Sequence, residues 1–365
     1  VSQTSRRGQR PGWRPMRKSC WTTTGTPPLG CAQGSRQRLR HSRLALVVAS
    51  AERPREAAND VFKLPMGGCV AKPRTIEIRQ INISMHAPHS PQGYVDLFQK
   101  AYRLKRIATR GKSDGYLLGA LYDAKNAVEK NELQGEIYRF TNIDPNAPWF
   151  NTQTGKPADD ADTEQISIPG NLHPNLERIL FIFRPKEHRF WYVSKDRKVT
   201  MGPSIAEGFL QQLFDEVSRK HDMPPVEVTV KPDEAAVDEV LSIHRITKLI
   251  FEFKRPNADD AGDVEQRIMQ RMEQRNINRI REEMTSNDPD GIEPDDEMKL
   301  EAQVAASNGH VEAKGYDAVG ISATESTRAK PAVYPELVNE AVESIWNVLG
   351  RISSKVKVKA KAHKG

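Results

Sequence analysis

The sequence is poor in cysteine, has no long apolar run, and carries no acidic residue in its first 51 positions. Three cysteines, Cys20, Cys31 and Cys69, occur in 365 residues. An odd and widely spread set builds no disulfide framework, which points to a reducing, cytoplasmic compartment. No cysteine pair has zinc-finger spacing with histidine partners. The longest apolar run, Leu44-Ala45-Leu46-Val47-Val48-Ala49, has six residues, where a membrane-spanning helix needs about 20. It ends near Ala49-Ser50-Ala51, which mimics a signal-peptide cleavage site, but it is shorter than a usual h-region. No glycine-rich phosphate loop, Gly-x-Ser-x-Gly elbow, His-Glu-x-x-His helix or internal repeat is present.

What charge there is divides unevenly. The net charge is +7, from 55 Lys and Arg against 48 Asp and Glu. Residues 1–65 hold 13 basic and 3 acidic side chains, and residues 355–365 hold five lysines and no acid. The body, 66–354, therefore has 37 basic and 45 acidic residues, a charge of −8. Whole-chain basicity is thus weak evidence for nucleic-acid binding. Residues 1–65 are rich in Arg, Gly, Pro and Ser without any period, a composition that buries no core and predicts a disordered leader. Read functionally, it is a basic arm for nucleic acid. Read plainly, it is a mis-assigned gene start: the chain begins with Val1, and Met66 opens directly into structured sequence. The second reading is preferred.

The expected class is α+β, a mixed and mainly antiparallel sheet with packed helices. A core is expected over 66–258, a helical and small β extension over 259–354, and a disordered lysine tail over 355–365. Ile76, Ile78, Ile81 and Ile83 alternate with polar residues over 74–85, predicting a strand with a bulge. Ser90-Pro91 starts a helix. Leu117, Leu118, Leu121 and Ala124 predict a second helix over 116–128. Two aromatic strands flank a turn at 185–188, and a clear helix covers 203–220. A strand at 226–231, a short helix at 233–241 and a strand at 247–254 follow. Val264, Ile268, Met272, Ile277, Ile280 and Met284 form a narrow seam on one long charged helix, 260–284. A helix near 295–306, a hairpin over 310–323 and an amphipathic helix over 335–352 close the body.

The stretch Arg139-Phe140-Thr141-Asn142-Ile143-Asp144-Pro145-Asn146-Ala147-Pro148-Trp149-Phe150-Asn151 is the most distinctive. With Lys254-Arg255-Pro256-Asn257 and Ala305-Ala306-Ser307-Asn308-Gly309-His310-Val311-Glu312-Ala313, it resembles a bacterial family known as domain of unknown function 4747. The resemblance covers roughly 74–330. It implies a cytosolic bacterial protein beginning near Met66 and an association with phage-defence or mobile-element loci, and it implies no reaction.

Four groups of residues carry candidate chemistry. In the loop after residue 141, Asp144 could act as a base or metal ligand. Asn142, Trp149, Phe150 and Asn151 could form a ligand platform there, against a self-braced Asp-Pro-Asn turn. Glu252 and Lys254 share one face of a strand. Such a Glu-x-Lys pair serves Mg²⁺-dependent nucleases, the only reading that brings in a cofactor, against an ordinary ion pair. Arg184, Arg189 and Trp191, among interleaved aromatics, could bind single-stranded RNA, against a hairpin with one buried face. His86 and His89 lack a third ligand. Helix 260–284 is the candidate surface for a protein partner, and no membrane role is expected. The leading reading is a non-enzymatic interaction component; the alternatives are the nuclease and the RNA-binding protein.

Overall fold

Alternation along the first strand sets up the whole molecule, because each of its two faces serves a different core. The computed structural model describes residues 72–123, 131–256 and 262–362, all within one compact unit, Gly67–Gly365. The leader, 1–65, lies outside the described residues. The chain runs β1 (Arg74–Met85), α1 (Pro91–Leu104), β2 (Ala108–Arg110), β3 (Asp114–Asp123), β4 (Leu133–Thr141), β5 (Phe150–Asn151), β6 (Lys156–Pro157) and α2 (Asp160–Thr163). It continues through β7 (Glu177–Arg184), β8 (Arg189–Asp196), β9 (Val199–Thr200), α3 (Pro203–His221), β10 (Val226–Val230), α4 (Ala236–Leu241), β11 (Arg245–Lys254) and α5 (Asp263–Gln274). Last come β12 (Arg279–Thr285), α6 (Asp296–Asn308), β13 (Gly309–Tyr316), β14 (Ser322–Ser326), β15 (Tyr334–Val338) and α7 (Ile345–Ala362).

Nine strands form an antiparallel sheet in the order β10-β1-β8-β7-β4-β3-β2, with β15 on β1 and β9 on β8. The expected bulge in β1 falls between Glu77 and Ile78. Ile81, Ile83 and Met85 face α1 and α3, whose Phe98, Phe209 and Phe214 complete one core with Phe181, Phe183 and Phe190. Ile76 and Ile78, further up β1, belong to a second core with Ile182, Trp191, Val193 and the α7 residues Val348, Leu349 and Ile352. Four strands form a second sheet, β12-β11-β13-β14. Its Leu249, Phe251, Phe253 and Val311 pack on α4, α5 and α6 through Val240, Ile268, Met272, Ala302 and Ala305. The α+β class holds. A division at 258 would separate β11 from both neighbours, β12 and β13.

Three predicted elements take another form. Residues 116–123 are strand β3, not helix. Their Leu and Ala content favours helix, but a Cβ at Gly119 would meet the Tyr138 ring at 2.3 Å, so glycine lets that aromatic lie flat across the strand. The helix expected to reach residue 284 ends at Gln274, and β12 follows. Its seam is already used: Ile268 and Met272 are buried against the small sheet, with Ile280 and Met284 beside them. The partner surface expected on 260–284 is therefore an internal packing seam. Residues 335–338 belong to β15, paired with the first half of β1, and the final helix begins at Ile345 and continues to Ala362, into the tail expected to be disordered.

Candidate functional site

Where the two sheets meet, polar side chains replace apolar ones. Gln80, Asn82 and Ser84 alternate along β1 on the face opposite the α1/α3 core, His86 continues the series just past its end, and all four are buried. Asn82 Nδ2 donates to Asn308 Oδ1 at 3.3 Å, and Asn308 Nδ2 donates to Glu265 Oε1 at 3.0 Å. Lys231 Nζ donates to Ser307 Oγ at 2.9 Å. The end of α6 is thereby tied to the large sheet. The next residue, Gly309, admits no side chain, because a Cβ would come within 1.9 Å of the Glu252 carbonyl oxygen.

Glu252 and Lys254 do point together, as the strand period predicts. Each is engaged. Glu252 Oε1 accepts from Arg328 Nη2 at 3.2 Å and lies 3.8 Å from Arg279 Nε and 3.7 Å from His310 Nδ1. Burial and Arg328 together hold the His310 pKa below its ordinary value, so that ring is neutral at pH 7. Lys254 Nζ donates to the Val228 carbonyl at 2.8 Å and meets Glu207 Oε1 at 3.4 Å. Gln211 of α3 brackets the same stretch, donating to the Val226 carbonyl and accepting from the Val228 amide at 2.8 and 2.9 Å. β10 ends the large sheet on this side, and a bare edge strand invites pairing with another chain. Lys254 and Gln211 satisfy that edge. A cleft of about 50 Å³ lined by Ser204, Glu207, Gly309 and Arg328 opens beside them, room for a few waters.

His86 lies on the same polar strip. Burial, with Arg255 adding to it, pushes its pKa down to about 4. An unfolded histidine titrates near 6.5. Between about pH 6.5 and about 4 the unfolded chain therefore takes up a proton that the folded chain refuses. The contribution is full above that window and is lost as pH falls through it. Chemical denaturation at pH 6.5 and pH 5 should show wild type losing stability and His86→Asn losing less; equal losses would refute the assignment. His89, the other half of the proposed pair, instead packs edge-on against Tyr94 and His188.

The remaining candidates lie away from Glu252. Asp144 is exposed and accepts from the Asn146 amide at 3.0 Å, an Asx turn. It follows β4, four strands from β10, so it does not join Glu252. Asn142 donates its backbone N–H to the Ser113 carbonyl at 2.6 Å. Trp149 Nε1 donates to the Pro145 carbonyl at 3.1 Å. Asn151 accepts from the Gln153 and Thr154 amides and donates to Asp162. The loop thus braces itself, with Phe150 left 64 % exposed. Glu177 pairs with Arg139. In the aromatic hairpin, Arg184 is fully buried and Trp191 is 2 % exposed, because both β-sheet faces here are covered; Arg189 is half-buried. A ring and a guanidinium enclosed in protein offer no face to a base, so the expected RNA platform is corrected to core.

Sequence reasoning passed over Asn308, His310, Arg279, Arg281 and Arg328. The Ser307-to-Glu312 segment, quoted above for its resemblance, carried the one available signal. A family model described as a domain of unknown function (DUF4747) matches residues 74–354. The chain belongs to the DUF4747 family. No curated protein matches it. The DUF4747 match opens at β1 and ends within α7, so both sheets and their junction lie inside it. Among the described residues, no helix is long and apolar enough to cross a membrane.

Proposed function

We propose that this DUF4747 protein is a binding component and that its Glu-x-Lys pair holds the fold together instead of cutting a phosphodiester. The surroundings of Glu252 carry this reading. A Mg²⁺ site needs several oxygen ligands; Glu252 is met by Arg328, Arg279 and His310. Among the described residues, no three Asp, Glu, His or Cys side chains converge to hold a metal. Lys254, the partner that would assist an attacking water, is bonded to the Val228 carbonyl. Incubation with single- and double-stranded DNA and RNA in Mg²⁺ or Mn²⁺ should leave every substrate intact. Cleavage that disappears in Glu252→Gln would restore the nuclease.

A further inference from the structure

The small sheet has one face covered by helices and one open face, on which Ile250, Glu252, Lys254 and His310 are buried and the residues around them are exposed or half-buried. Antiparallel register makes the open face a grid. Thr285, Lys248, Lys314 and Thr324 form one row, and Glu283, Ile250, Glu312 and Ser326 the next. Arg281, Glu252 and His310 form the third, and Arg279 stands beside Lys254 in the fourth. The packed helices α4, α5 and α6 all lie on the opposite face. Arg279, Arg281, Lys314 and Lys248 remain 60, 55, 49 and 36 % exposed, and Arg328 adds a guanidinium 60 % exposed. These five cations stand against Glu252, Glu283 and Glu312, while Lys254, buried and bonded to the Val228 carbonyl and Glu207, is turned to the large sheet. A positive face on a body of charge −8 focuses a local attraction for polyanions that the whole molecule lacks.

The geometry points to a single nucleic-acid strand as the ligand of this face. The inference rests on the binding reading above and names its partner. Arg279 and Arg281 lie 3.8 and 3.9 Å from their nearest carboxylates, beyond hydrogen-bond length, so their forked donors are available to phosphate oxygens. Two residues apart on a strand, they stand roughly 7 Å apart on one face, a spacing on the order of that between neighbouring phosphates. At the end of β13, Tyr316 is 37 % exposed with the Arg245 guanidinium 4.5 Å from its ring centre, a platform on which a base can stack. A duplex is read by an element that enters a groove, and the four strands present a face of side chains instead. The phosphate backbone is common to RNA and DNA, so the strand chemistry is assigned and the sugar is left to the assay.

The test is fluorescence anisotropy of labelled oligo-uridine and oligo-thymidine with the full chain, in EDTA so that cleavage plays no part. The basic leader and lysine tail are present in wild type and variants alike, so differences between them belong to the face. Arg279→Gln/Arg281→Gln should bind roughly tenfold more weakly, with a salt slope shallower by about 1.4 for two lost phosphate contacts. Tyr316→Ala should weaken binding without changing the slope. Both sites are exposed, and a thermal melt matching wild type confirms folding; Lys314→Gln on β13 provides an independent variant. Unchanged affinity and slope in the double variant would overturn the inference. So would polyglutamate competing as well as oligonucleotide while Tyr316→Ala has no effect, which would mark an acidic protein as the partner. Neither result bears on the nuclease assay, so the two proposals fail separately.

Discussion

Arg184→Ala is expected to destabilise the protein by about 3–5 kcal/mol. The guanidinium has no solvent exposure, and its Nε donates to Glu132 Oε2 at 3.0 Å. Its Nη2 reaches the Gly350 carbonyl and Ser354 Oγ, each at 3.3 Å, both on α7. One side chain of β7 therefore neutralises a buried acid and fixes the C-terminal helix to the large sheet. Truncation leaves Glu132, 4 % exposed, as a buried charge without its partner, and that is the larger part of the cost. For a domain of this size the loss corresponds to a fall in Tm on the order of 10 °C. The control is Glu132→Gln/Arg184→Met, which removes both charges and should recover most of the loss. A double variant as unstable as the single one would mean that the α7 contacts, not the stranded acid, set the cost.

Arg184 also shows what sequence reading can and cannot reach. Its neighbourhood of Phe, Trp, Arg and His is equally consistent with a nucleic-acid platform and with a strand buried on both faces, because periodicity reports one face at a time. The second covering layer is α7, 166 residues along the chain from Arg184 at Gly350, and no local pattern announces it. Elements with a single strong period were legible: the alternation of β1, the Ser90-Pro91 start of α1, where Ser90 Oγ accepts the Gly93 amide at 3.1 Å, and the apolar stripe of α3. Those whose pattern fits two periods were not. In 277–284, Ile277, Ile280 and Met284 fit a helical seam, while the strand β12 that holds Ile280 and Met284 has Glu282 at an inward position, satisfied by Arg271 of α5. That misreading hid the proposed binding face, because residues two apart diverge on a helix and coincide on a strand. Arg279 and Arg281 become neighbours only once β12 is recognised. Glu252 and Lys254 were found by their spacing, but no local pattern announced what they touch: Arg328, 76 residues away, and the Val228 carbonyl of β10.

Trp191→Ala should also cost about 3–5 kcal/mol, read as a lower denaturant midpoint at unchanged m-value. The indole is 2 % exposed and lies 5.5 Å, centre to centre, from the Tyr334 ring of β15. It packs in the same cluster as Ile76, Ile78 and Val338 and as Val348 and Leu349 of α7. Truncation opens a cavity where β1, β15 and α7 meet, and a site fixed by three separate elements has little freedom to collapse. Trp191→Phe keeps much of the volume and should lose clearly less. The variant also separates two accounts of nucleic-acid binding. If the hairpin were the platform, Trp191→Ala would abolish oligonucleotide binding with little change in stability. With the platform on the open face of the small sheet, the variant should bind as wild type does at temperatures where it remains folded, while Arg279→Gln/Arg281→Gln does the reverse, staying folded and losing affinity.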